Sequence, residues 1–187
     1  MKKIILASSS PRRIEMMKKN GYNPLIMPAY VDEHLPFNMS PEPAVMYLAL
    51  KKAAHIDATV NDKHIIIAAD TVVVHDRRIL GKPADKNEAF DMLYRMRNDH
   101  HDVLTGVCII DTYTPRKICF YDRTSVFFND YSHAELTAYV NTDEPYDKAG
   151  GYAIQGTFGK YIDHIDGDYN NVVGFPWYRI RPYLYYN

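Results

Sequence analysis

The sequence predicts an α/β fold built on a mixed β-sheet, and three observations carry that expectation. The first is the apolar run from Ile65 to Val74, which shows no alternation of apolar and polar residues. Such a run reads as a central strand covered on both faces. The second is the interleaving of helix-period segments with strand-like ones along the whole chain. The third is a pair of long strand-like stretches, Val103–Ile110 and Ile118–Phe128, joined across Asp111–Lys117. That hairpin brings antiparallel pairing into the sheet.

Taken in order, Ile4-Ile5-Leu6-Ala7 reads as a buried strand that runs into Ser8-Ser9-Ser10. Ser10 is suited to cap a helix, and Pro11 fits the first helical position because the N–H it lacks would be unpaired there anyway. This helix should run to about Asn20, with Ile14 and Met17 on one face and Gly21 as its stop. A short extended piece at Leu25–Met27 leads to Tyr30-Val31-Asp32-Glu33. Ser40 and Pro41 open a second helix whose inward stripe carries Val45, Leu48, Ala49 and, at the same spacing, Lys52. The Ile65–Val74 strand follows, its apolar run interrupted by Asp70, and His75–Arg78 turns the chain. Asp85 and Glu88 resemble a capping box for a helix that buries Ala89, Met92, Leu93 and Met96. Beyond the hairpin, Ser132 and Glu135 cap a helix that turns Leu136, Tyr139 and Val140 inward. A glycine-rich loop spans Asp147–Gly156, a strand covers Lys160–Ile165, Asp166-Gly167-Asp168 turns, and a short helix follows Pro176.

Composition narrows the classes. The 187 residues suffice for one domain, 1–187, or two lobes sharing one core. A hydrophobic content of 47% is ordinary for a globular protein, and no segment approaches a membrane span. Met1-Lys2-Lys3 is followed by too few apolar residues for a signal peptide. A net charge of −1 excludes a protein that coats nucleic acid non-specifically, so a polyanion would need a local cluster of positive charge. Cys108 and Cys119 form neither a disulfide framework nor a CxxC metal site. They flank a turn symmetrically and could face each other, although two small core residues in a reducing compartment are the expectation.

The residues that bear chemistry gather into few places. At Ser8–Arg13 a strand end, three hydroxyls, the open N–H groups of a helix start and two arginines make an anion site. The plainer alternative is a capped helix with solvated arginines. Asp70 lies inside an apolar strand, where a bare carboxylate is too costly to bury, so it must be paired, protonated or bound to a cation. It is a candidate general base or metal ligand; as a structural residue it would cap a neighbouring backbone group. Asp32 and Glu33 form a second acidic point, and two separated carboxylates suit Mg²⁺ or Mn²⁺. Lys52 on its apolar stripe and Lys82 between Gly81 and Pro83 complete a set of four cations with Arg12 and Arg13, about what a nucleoside triphosphate requires. Gly151 and Gly156 have the glycine spacing of a P-loop, but Thr157-Phe158 follows where Lys-Ser/Thr is needed. No histidine pattern fits zinc, and His100-His101 is expected at the surface.

Several blocks in order resemble a known family. They are Ala7–Arg13, Asp32-Glu33, Ala69–Val73, Leu80–Pro83, Asp147–Gly150, Ile154–Gly156 and Gly167–Pro176. Together they resemble the Maf family, the septum-formation-inhibitor-like nucleotide pyrophosphatases, over nearly the whole chain. The resemblance implies a fold similar to inosine triphosphate pyrophosphatase, with an elongated mixed sheet flanked by helices and two lobes with a central cleft. It implies hydrolysis of a nucleoside triphosphate to monophosphate and pyrophosphate with a divalent cation, in the cytoplasm, by a possible homodimer without nucleic acid or membrane. It also implies that Asp70 accepts the proton and that Arg12, Thr71 and Gln155 bear on substrate preference. Thr71 after Asp70 resembles the branch acting on dTTP and UTP; the 7-methyl-GTP branch tends to have Gln there. Arg97–His101 departs from the Ser-Gly frequent at that turn in the family.

Residues and resemblance converge on one expected arrangement. Ser8, Ser10, Arg12, Arg13, Lys52 and Lys82 grip phosphates, while Asp70 and Glu33 hold the cation and Asp70 activates water. The rival readings are a pyrophosphatase for 7-methyl-GTP or modified purine nucleotides, and a non-enzymatic regulator of cell division.

Overall fold

Apolar strands with helices on either side set the architecture, and the structure, a computed structural model, describes residues 2–184. In chain order the elements are β1 (Ile4–Leu6), α1 (Pro11–Lys19), β2 (Leu25–Ile26), α2 (Pro41–Asp57), β3 (Ile65–His75), β4 (Arg78–Leu80) and α3 (Lys86–Met96). There follow β5 (His100–Asp111), β6 (Arg116–Phe128), α4 (His133–Val140), β7 (Ile162–Asp166), α5 (Tyr169–Val172) and α6 (Trp177–Ile180). The seven strands form one mixed sheet in the order β2-β1-β3-β5-β6-β7, with β4 paired to β3. β1 runs parallel to β2 and β3, whereas β3–β4 and β6–β7 are antiparallel.

The chain divides into two compact units. The first comprises Met1–Thr71, Thr105–Asp122 and Gly174–Asn187. β1, β3 and its part of β5 are buried on both faces, and side-chain parity sorts their residues. Leu6, Ile65, Ile67, Ala69, Val107 and Ile109 face Met17 of α1 and Trp177 and Ile180 of α6. Ile5, Ala7, Ile66, Ala68, Cys108 and Ile110 face Ala49, Ala53 and Ile56 of α2. A run without alternation is therefore what a strand covered on both sides requires. Contact between α2 and the sheet is very close at Gly106, where an added Cβ would lie 2.3 Å from the Val45 carbonyl carbon. Small residues at Ala49 and Ala53, both fully buried, keep the helix low along its length.

The second unit comprises Val72–Leu104 and Arg123–Val173. Its core joins Val73, Leu93, Met96 and Leu136 to a group of aromatic rings around Phe128 and Phe158. Asp85 caps α3 through the Glu88 N–H, and Ser132 with Glu135 forms a full capping box on α4. β3 and β4 turn on Asp76 and Arg77, both at positive φ, as a two-residue hairpin demands.

As the apolar run predicts, β3 continues through Asp70, and it ends at His75. Two expectations need correction here. The strand expected at Lys160–Ile165 is a 3₁₀ turn, Thr157–Tyr161, followed by β7. His101 is not at the surface: β5 begins at His100, three residues earlier than the apolar pattern indicates, and strand alternation turns His101 inward. Its Nε2 pairs with the Tyr152 hydroxyl at 2.6 Å and its ring lies 5.0 Å from Phe128. His100 remains exposed and stacks on Phe127.

Burial pushes the His101 imidazole down from its ordinary value to about 3. The unfolded chain thus binds a proton that the folded one refuses, and stability falls as pH drops from about 6.5 towards 3. His101→Gln should reduce that slope by up to about 1.4 kcal/mol per pH unit, measured by urea denaturation across the acid range. Gly106→Ala should destabilise by at least about 1–3 kcal/mol, read as a lowered denaturation midpoint.

Candidate active site

The first unit's candidate residues lie in the turn after β1, in the middle of β3, on α1 and α2 and, for Glu33, on the loop before α2. β1 delivers Ser8, buried, to the turn before α1. Ser10 was expected to cap α1 with its side chain, and it does not. Its extended backbone places its carbonyl to accept from the Ile14 N–H, while its own N–H donates to Ser8 Oγ at 3.2 Å. The hydroxyl that organises the turn is thus Ser8, two residues earlier. The N–H groups of Arg12 and Arg13 fall in the first turn, where a helix offers them no internal acceptor.

The two arginines point to different tasks. Arg12 is exposed at the helix start. Arg13 is partly buried and its fork is held by protein acceptors. Nε donates to the Gly174 carbonyl at 2.9 Å, Nη1 to the Ala69 carbonyl at 2.8 Å and to Ser8 Oγ at 3.2 Å, and Nη2 to Thr71 Oγ1 at 3.0 Å. Four of its five N–H groups are spoken for. Desolvation lowers the guanidinium to about 10, against the pull of Asp70, so it stays charged at neutral pH. These bonds make Arg13 a clamp that ties the serine turn, the middle of β3 and Gly174 together. Gly174 meets this clamp at φ 94°, and an added Cβ would stand 3.0 Å from Thr71 Oγ1. Thr71 Oγ1 also lies 3.0 Å from Thr105 Oγ1.

Asp70 faces the other way. Parity along β3 puts Thr71 on the α1 side with Ala69 and Ile67, and Asp70 on the α2 side with Ala68 and Ile66. There Lys52 meets it: Nζ donates to Asp70 Oδ1 at 2.6 Å, with both side chains nearly buried, at 13% and 11% exposure. The same Nζ lies 2.7 Å from Glu33 Oε1, whose side chain is 60% exposed. Lys51, which the sequence reading passed over, donates from Nζ to the Asp32 carbonyl. Adjacent lysines on α2 therefore fix the acidic loop by its backbone and by its side chain.

Lys82 and Gln155 belong to the second unit, and both are exposed. The Gly81 carbonyl beside Lys82 accepts from the Gly150 N–H at 3.0 Å, which fixes the turn that presents the lysine. Among the described residues, no three His, Cys, Asp or Glu side chains converge as a metal cage. Asp70 and Glu33 share one ammonium, that of Lys52. No helix among the described residues is long and apolar enough to cross a membrane.

Comparison with known proteins adds a second line of evidence. The family described as Maf-like protein matches residues 3–186. A protein of Caldicellulosiruptor bescii named dTTP/UTP pyrophosphatase is 45% identical over 184 residues, spanning 97% of this chain and 92% of the relative. A Bacillus anthracis protein of the same name is 45% identical over 180 residues, spanning 96% and 93%. Among solved structures, the Staphylococcus aureus Ham1 protein aligns over 98% of both chains with a TM-score of 0.53 at 14% identity. That likeness concerns the fold, and it agrees with a mixed sheet flanked by helices.

Arg13→Lys should cost at least about 2 kcal/mol of stability, because a single ammonium leaves buried acceptors unmet. Arg12→Ala, at an exposed site, should stay within about 0.5 kcal/mol of the parent. Paired urea melts of the two variants check both.

Proposed function

The chain belongs to the Maf family, and from that premise we propose that it hydrolyses dTTP and UTP to the monophosphate and pyrophosphate. The observation that carries this reading is the buried Asp70 carboxylate, held at 2.6 Å by Lys52 in the middle of β3. Relatives at 45% identity bearing the name dTTP/UTP pyrophosphatase support the substrate class.

Asp70 is the general base. It takes the proton of the water that attacks the α-phosphorus, and the bond from that phosphorus to the bridging oxygen breaks as pyrophosphate departs. Lys52 fixes the direction of the carboxylate, so the base needs little reorganisation when the water arrives. Arg12 and the first-turn N–H groups of α1 receive phosphate oxygens at the positive end of the helix. Lys82 adds a further cation for the triphosphate. Ser8 and Ser10 shape the turn, and Arg13 acts through it as a positioning residue. Arg12, Thr71 and Gln155 bear on base preference; Thr71 does so through Arg13, to which its hydroxyl is bound. Asp70 and Glu33 would hold Mg²⁺ or Mn²⁺, which supplies neutralisation of phosphate charge when bound. The whole of 1–187 serves as one functional domain, cytoplasmic, without a membrane or nucleic-acid partner, and able to pair as a homodimer.

A panel of dTTP, UTP, CTP, dITP, 7-methyl-GTP and ATP with Mg²⁺ or Mn²⁺, resolved by chromatography, tests the reading. Monophosphate and pyrophosphate should appear from dTTP and UTP, and Asp70→Asn should lower kcat by at least about 10²-fold while the circular dichroism spectrum stays that of the parent. Arg12→Ala should act mainly on KM. Turnover confined to 7-methyl-GTP or dITP would overturn the use made of Thr71, and near-normal kcat in Asp70→Asn would remove it as the base.

A further inference from the structure

The two cysteines lie outside the site described above, on neighbouring strands of the first unit. Only Cys108 is in the core, beside Ala49 and Ala53 of α2; Cys119 is exposed, contrary to the expectation of two core residues. Their register is fixed at both ends of the β5–β6 hairpin. β5 ends at Asp111 and β6 begins at Arg116, so a four-residue turn sets those two residues opposite each other. At the far end the Phe128 N–H donates to the Asp99 carbonyl at 2.9 Å, the His100 and Phe127 rings stack at 5.2 Å, and Ser125 Oγ donates to Asp102 Oδ1 at 2.6 Å. In every one of these pairs the partners stand equally far from the hairpin's midpoint. The same register sets Cys108 directly opposite Cys119.

Residues directly opposite on antiparallel strands have Cα atoms about 4.5 or 5.5 Å apart, in the two alternating kinds of pair. Disulfides need Cα separations of about 4.4–6.8 Å.

We propose that Cys108 and Cys119 are an oxidisable dithiol that closes to a reversible cross-strand disulfide, with exposed Cys119 as the attacking thiol and buried Cys108 as the resolving one. The oxidant is a low-molecular-weight disulfide. Cys119 thiolate attacks one of its sulfurs, forming a mixed disulfide and releasing one small thiolate. The Cys108 thiol then gives its proton to solvent and its sulfur attacks Cys119 Sγ. The new Sγ–Sγ bond forms as the mixed disulfide breaks and the second small thiolate leaves. Two cysteine thiols are oxidised and one small disulfide is reduced to two thiols. The electrostatics assign the same roles. A hydrogen bond from Cys108, with Lys117 nearby, lowers the Cys119 thiol below its ordinary value, while that shared hydrogen bond and burial push Cys108 up. The thiolate that reacts is the one solvent can reach.

The test is to equilibrate the folded chain with oxidised glutathione, quench with acid, and read intact mass and peptide maps. The expected result is loss of both free thiols to one internal Cys108–Cys119 bond, restored by dithiothreitol. Cys108→Ser should stop at a glutathione adduct on Cys119, and Cys119→Ser should leave Cys108 unmodified; Cys108→Ala serves if the serine disturbs the core. A persistent Cys119 adduct in the parent chain, closure only in denaturant, or no modification would overturn the proposal.

Discussion

A carboxylate buried in an apolar strand has to be met by a cation, and much of the first unit follows from meeting that demand at Asp70. Lys52 can reach it only if α2 lies low across the sheet. Gly106 and the two alanines permit that approach, since any Cβ at Gly106 would collide with the backbone of the helix. The helix in turn carries Lys51 and Lys52 as neighbours, which draw in Asp32 by its carbonyl and Glu33 by its side chain. Close packing here is thus the condition under which an ion pair exists at all. Removing Lys52 would leave the Asp70 carboxylate buried without its cation, at a cost of about 3–5 kcal/mol.

A second polar device works on the opposite face, with a different logic. Arg13 joins the turn after β1, the middle of β3 and Gly174, segments far apart in sequence. Its hydrogen-bond acceptors are carbonyls and hydroxyls, so it adds rigidity, while Asp70 acts on it only through space. One face of β3 holds a charge pair, and the other holds the frame that fixes the strand.

How far the sequence disclosed this depends on whether a feature is local or tertiary. Asp70 and Lys52 were legible because each breaks an apolar pattern at a defined period, and a charge on a core stripe must have a partner. The hairpin and the caps at Asp85 and Ser132 were legible because they rest on residues three apart or on one turn. Arg13 looked like its neighbour Arg12, since nothing local separates an arginine aimed at solvent from one whose acceptors arrive from Ala69 and Gly174. Ser10 misled only in part: it stands at the cap position, but its side chain makes no cap bond. His101 was missed because a histidine pair carries no apolar signal. Its burial follows from the strand's phase, and the only available clue was the alternation counted back from Val103. Cys119 was misjudged because its stretch of β6 is largely exposed while the neighbouring stretch of β5 is buried.

The opposition of Asp70 and Thr71 on adjacent positions of β3 has a consequence for how such a chain can change over time. Substitution anywhere along the strand preserves which face each residue addresses. Gain or loss of one residue between Ile65 and Asp70 would exchange the two faces at once, sending the carboxylate to the arginine frame and the threonine to the lysine. Gain or loss of two would keep every facing and change only depth. The lineage of this strand is therefore confined to point changes and even-numbered length changes, and homologous chains should align through it without a single-residue gap.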